Sequence, residues 1–280
     1  MIDPWFEIER IDDDTFVIAE PSHVRSHLII GDERAVLFDT GLGVRPIRPV
    51  VAELTDRPVL AVASHHHFDH VGGNHEFDEV AIHHAGAELL AQGPPPGWLT
   101  AYWEGFLDYV ERFSPDASTA RPLPADFAPQ HPDFRPSAAT RLLDDGEVLP
   151  LGGRDLRVVH VPGHTQDSIC LVDESHGFLF GGDAIDTGGI YAHLPTADPA
   201  QFVASLRRLD ALLPSTVVAV LSPHSRTGRH GRDVIGREAD AIAAALTGEV
   251  VFESGKDCFR QAACVASIGD FAIYLAPVSP

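Results

Sequence analysis

Residues 59–73 read VLAVASHHHFDHVGG. The run opens on five apolar residues without polar alternation. That is the pattern of a strand buried on both faces, and such strands belong to sheets with helices covering both sides. Four histidines and one aspartate then fall within six positions, His65 to His70. Clustered imidazoles repel one another when protonated, and neutral rings need partners for both nitrogens. A bound cation offsets that cost. Side chains two apart at a strand end point the same way. His65 and His67 therefore aim at one point, and Asp69 and His70, after the chain curls, at a second. Imidazole with carboxylate suits zinc, iron or manganese. Gly72 and Gly73 let the backbone bend tightly behind the donors. His66 faces away from its neighbours and reads as a wall residue.

The surrounding pattern is α/β. HLIIGDERAVLFDTG, residues 27–41, reads as a hairpin turning at Gly31–Arg34. A helix is expected within 44–54, its start confined by Pro46 and Pro49. EVAIHH (79–84) reads as a strand and AGAELLAQ (85–92) as a short helix, giving the order β-β-α-β-β-α. Residues 94 to about 141 are rich in proline around one helical patch, Trp98 to Phe113. This is expected to be an insertion over the site, a lid or substrate wall, with an ordinary packing excursion or an oligomer contact as the alternative reading. Strand patterns return at 156–163, 168–174, 178–184 and 217–224. Asp198 and Pro199 cap a helix over 198–214 with one apolar stripe. A second helix over 237–248 closes on Gly248. Residues 249–280 read as a small terminal β unit, and 1–280 as one domain.

Three more polar residues end apolar runs beside Gly or Pro: His164 in VPGHT, Asp183 in FGGDA and His224 in LSPH. In a layered sheet fold such strand ends meet at one edge. With His65, His67, Asp69 and His70 they make seven donors, whereas one zinc takes about three or four protein ligands. The surplus points to two divalent ions, Asp183 being shared.

HHHFDHVGG, together with VPGHT, FGGDA and SPH, resembles the metallo-β-lactamase superfamily of hydrolases, from the 27–41 hairpin to His224. The resemblance implies a four-layer αβ/βα sandwich. It also implies a first metal on His65, His67 and His164, a second on Asp69, His70 and His224, and Asp183 as bridge. HHHFDHVGGNHEFDEVAIHHAGAELLAQG and HVPGHTQDSICL look most similar to the branch containing acyl-CoA thioesterase-like members. The activity implied is hydrolysis of a thioester, ester or lactone by a metal-bridging hydroxide, zinc being the expected metal. Asp69 is expected to serve twice, as ligand and as proton acceptor. Asp39, at the end of LFDTG, is expected to orient a ligand histidine. Two alternatives stand beside this reading: a mononuclear iron persulfide-type dioxygenase on the same fold, and a non-catalytic metal-binding module.

The formal net charge of −21 repels phosphate backbones, which argues against a nucleic-acid partner. No apolar run reaches the roughly 18–20 residues of a membrane helix. The acidic N-terminal stretch does not read as a signal peptide. Three cysteines without a CxxC fit a reducing, cytoplasmic setting. The partner expected is therefore a small-molecule substrate, with self-association compatible. Tyr191, His193, Tyr102 and Trp103 are candidate substrate contacts, and Cys170 is expected to pack as a small hydrophobe.

Overall fold

Apolar runs too short for helices set the frame of this chain. The computed structural model describes residues 2–21, 24–113, 134–224 and 228–277. They group into two compact units, the described residues of Met1–Ile82, Gly86–Leu142 and Leu151–Arg154 in one, and those of His83–Ala85, Leu143–Pro150 and Asp155–Pro280 in the other. No helix among the described residues is long and apolar enough to cross a membrane.

The first unit is built on a sheet whose strand order follows the sequence: β1 (Glu7–Arg10), β2 (Thr15–Ala19), β3 (Arg25–Ile30), β4 (Ala35–Phe38), β5 (Val59–Val62), β6 (Val80–His83) and β7 (Arg141–Leu143). β1 to β4 are antiparallel, and the expected hairpin is β3–β4, with Ile30 opposite Ala35. β4, β5 and β6 run parallel. Its helices are α1 (Arg48–Leu54), α2 (Phe68–Val71), α3 (Ala87–Gln92) and α4 (Trp98–Phe113). α1 has no side-chain cap of its own; Glu76 instead accepts from the backbone N–H of Ile47 and Arg48. Leu90 of α3 packs with Ala61, Val80 and Ile82 of the sheet. The helix expected at 98–113 forms as α4, while 114–133 of the expected lid lie outside the described residues.

The second unit holds two sheets. One has the order β14-β13-β11-β10-β9-β8, from β8 (Val148–Pro150), β9 (Asp155–His160), β10 (Ile169–Asp173), β11 (Phe178–Phe180), β13 (Ala219–Leu221) and β14 (Arg229–Gly231). The other has the order β12-β17-β16-β15, from β12 (Gly188–Tyr191), β15 (Glu253–Lys256), β16 (Ala262–Ile268) and β17 (Phe271–Leu275). α5 (Pro199–Leu212) and α6 (Val234–Thr247) share one core with both. Phe202, Leu206 and Leu209 of α5 and Ile235 and Ile242 of α6 pack with Val159, Cys170, Val172, Leu179 and Val220, and with Ile190, Ala266 and Ile273. Asp198 caps α5 by accepting from the Gln201 N–H, and Gly248 ends α6 in the left-handed region at φ 73°. Cys170 packs as expected, fully buried in β10.

Candidate metal centre

Parallel pairing of β4 with β5 sets Phe38 opposite Val62, so both strands release their chains at one edge. Asp39 follows β4 there, and Ser64 and His65 follow β5. Asp39 holds a positive φ of 65°, sparsely populated by non-glycine residues. It accepts from the Ser64 N–H (2.7 Å), the Ser64 hydroxyl (2.9 Å) and His70 Nδ1 (2.8 Å). Because the Ser64 proton goes to Asp39, the hydroxyl oxygen 2.9 Å from His65 Nδ1 is left as acceptor. Both rings therefore carry their proton on Nδ1 and keep the Nε2 lone pair for a cation. The orientation of His70 by Asp39 matches the expectation from the sequence.

His65, His67, Asp69 and His70 are all buried and close together. The His65 ring centroid lies 4.5 Å from His67 and 4.3 Å from His70, and Asp69 Oδ2 lies 3.8 Å from His70 Nε2. Thr40 fixes the bend behind them: its backbone N–H donates to the His70 carbonyl at 2.7 Å. The two glycines are required there. A Cβ on Gly72 would sit 2.3 Å from the Leu42 carbonyl carbon, so the 41–43 and 70–73 segments could not approach. His66 is half-buried.

The second unit builds a cluster of its own residues by the same device. β11 runs parallel to β13 with Phe180 opposite Leu221, and the chains leaving them carry Asp183 and His224. One Asp183 oxygen lies 3.2 Å from His224 Nε2, and the other 3.5 Å from His164 Nε2. His164 Nδ1 donates to the Tyr191 carbonyl at 3.0 Å, so Nε2 is again the nitrogen that carries the lone pair. His164, buried with its Nδ1 on a carbonyl oxygen, and half-buried His224 both turn Nε2 to the Asp183 carboxylate, a donor set that fits a divalent cation.

The four candidate substrate contacts have these neighbours. Tyr191 supplies its carbonyl to His164, and its ring stacks on Tyr274 with centroids 4.6 Å apart. His193 Nε2 pairs with Asp257 at 2.9 Å. Tyr102 donates its hydroxyl to Asp69 Oδ2 at 3.3 Å, and Trp103 is buried beside it on α4.

Sequence reasoning missed several supports. Glu20, at the end of β2, accepts from the Trp5 indole and from the Leu42 N–H, and burial pushes its carboxyl up to about 7. Asp186 accepts from the His224 N–H, burial pushing it too up to about 7. Buried Glu238 in turn accepts from the Asp186 N–H. The acid three residues after Asp183 was the available signal; Glu238 offered none.

A family model described as the metallo-beta-lactamase superfamily matches residues 19–220. The chain belongs to the metallo-beta-lactamase superfamily. Within that superfamily it is 35% identical over 238 residues to the acyl-coenzyme A thioesterase MBLAC2 of Homo sapiens, covering 78% of this chain and 80% of that protein. The resemblance to the thioesterase-like branch read from the sequence is thus found again. A hydroxyacylglutathione hydrolase of Aeromonas salmonicida (strain A449) is 40% identical over 92 residues, 33% of this chain and 35% of that protein. The metallo-beta-lactamase from Pontibacter korlensis aligns with a TM-score of 0.61 at 16% identity, over 85% of this chain and 99% of that one, and the fold is the metallo-beta-lactamase fold. Membership in the superfamily and its hydrolase relatives support metal-dependent hydrolysis as the activity.

Proposed function

We propose that the two His/Asp clusters act as one centre for two divalent ions, and that the chain hydrolyses acyl-coenzyme A thioesters. The observation that carries the proposal is Asp183, whose two carboxylate oxygens each face a different imidazole, the disposition of a shared ligand. His65, His67 and His164 would hold one ion, Asp69, His70 and His224 the other, and Asp183 both. Zinc suits this donor set, with iron or manganese as alternatives. When bound, the ions polarise the thioester carbonyl and acidify water toward a pKa of about 7.

The chain's own residues then orient and move protons. Asp39 and Ser64 hold His65 and His70 in the tautomer that presents Nε2, so the donors stay pre-organised as charge develops on the carbonyl oxygen. Asp69 takes the proton of the attacking water. A thioester substrate is supported by the thioesterase relative, which this chain matches over most of its length. A cytoplasmic site is supported by the free cysteines Cys170, Cys258 and Cys264.

The test is a screen of metal-loaded protein against acyl-coenzyme A thioesters, lactones and β-lactams. Thiol release from the thioesters, abolished by a chelator and restored by zinc, is the expected result. Turnover confined to lactones or β-lactams would reject the thioester assignment. Oxygen uptake with iron alone would move the chain to the dioxygenase reading.

A further inference from the structure

We propose that Tyr102 is a positioning residue for Asp69, so that helix α4 of the proline-rich insertion sets the geometry of the second ion site. The inference rests on the reading of Asp69 as an ion ligand. Tyr102 is 6% exposed, and its hydroxyl donates to Asp69 Oδ2 at 3.3 Å in a buried contact. Phe68, the residue before Asp69, meets the same tyrosine ring edge-on, with centroids 4.7 Å apart and planes at 87°. One side chain of α4 thus grips two consecutive residues of α2, by an aromatic contact on one and a hydrogen bond on the other.

α2 needs such a grip. It is four residues long, and its N-cap, His67, makes no side-chain capping bond. A helix of one turn does not hold its own geometry in water. Asp69 Oδ2 also lies 3.8 Å from His70 Nε2, whose lone pair repels it, so the carboxylate needs a donor to hold its rotation. A hydroxyl donating to Oδ2 occupies one acceptor site on that oxygen and fixes the rotation of the carboxylate, leaving its remaining lone pairs for a cation. The hydroxyl proton of Tyr102 goes to Asp69, a role distinct from the substrate contact expected from the sequence.

The experiment compares wild type, Tyr102→Phe and Asp69→Ala as purified full chains. Each is stripped of metal and titrated with zinc against a chromophoric chelator, then assayed for acyl-coenzyme A hydrolysis. Tyr102→Phe keeps the ring on Phe68 and removes only the hydroxyl. The expected result is an unchanged melting temperature for the apoprotein, the weaker zinc affinity reduced about tenfold or more, and a lower kcat at unchanged KM. Wild-type zinc affinity in Tyr102→Phe overturns the proposal, and a raised KM with wild-type zinc affinity returns Tyr102 to a substrate contact. Asp69→Ala separates the two layers. If it loses zinc while Tyr102→Phe does not, only the role of Tyr102 fails; if it also binds zinc like wild type, the ligand reading of Asp69 fails.

Discussion

Asp39 gathers three donors on one buried carboxylate, and two of the three lead to histidines of the first cluster. Its removal leaves the rings of His65 and His70 free to turn and the Ser64 N–H without its acceptor. Asp39→Ala is therefore expected to reduce zinc affinity by about 10- to 100-fold, read as zinc retained after dialysis against a chelator. Buried histidines outside the clusters shape the acid response instead. Burial pulls the His27 imidazole down to about 3, with Arg25 adding to the effect, and His83 down to about 4 by burial, with His160 and His84 adding. Below the ordinary value of 6.5 the unfolded chain takes up a proton at position 27 that the folded chain refuses until about pH 3. The stability held above pH 6.5 is then lost by about 1.4 kcal/mol for each unit of acidification across that window. Urea unfolding from pH 7 to pH 4 is expected to show this slope, shallower in His27→Leu; an identical slope in the variant would assign the acid limb to other groups.

Among the elements, α5 shows how local signals and close packing cooperate. Asp198, Pro199 and the Phe202–Leu206–Leu209 stripe made the helix legible in advance, because cap and stripe are properties of neighbouring residues. The seat of α5 was not legible. Gly163, just before His164, has φ +153°, and a Cβ there would stand 2.3 Å from Phe202 Cα. Gly163→Ala is expected to cost about 1–3 kcal/mol in urea unfolding, since a helix backbone has to move. The same divide runs through the rest of the fold. β5 and β9 were readable from apolar runs, but β12 is GGIY, β14 is RHG and β1 has a single apolar residue in EIER, so pairing partners rather than composition make them strands. At the clusters, the histidines and carboxylates stood out because they interrupt apolar strand ends. Their supports did not. The Tyr191 carbonyl on His164 and the Tyr102 hydroxyl on Asp69 join residues 27 and 33 positions apart, and no local pattern announces such pairs.

For the whole molecule, the charge of −21 bears on the proposed substrate, since the phosphates of coenzyme A are repelled by an acidic surface. Raising ionic strength from about 0.01 to 0.15 M shortens the screening length from about 30 to 8 Å. The kcat/KM for an acyl-coenzyme A is expected to rise across that range, with an uncharged thioester unaffected. A fall with salt would instead point to local attraction of the anion. The account as a whole turns on whether Asp183 joins two half-sets of ligands into one hydrolytic centre. The most direct measurement is zinc per chain and thioester hydrolysis in wild type and Asp183→Ala, side by side. The account predicts about two zinc ions in wild type, with the variant losing at least one of them and nearly all of the rate. Full zinc content and full rate in Asp183→Ala would contradict it.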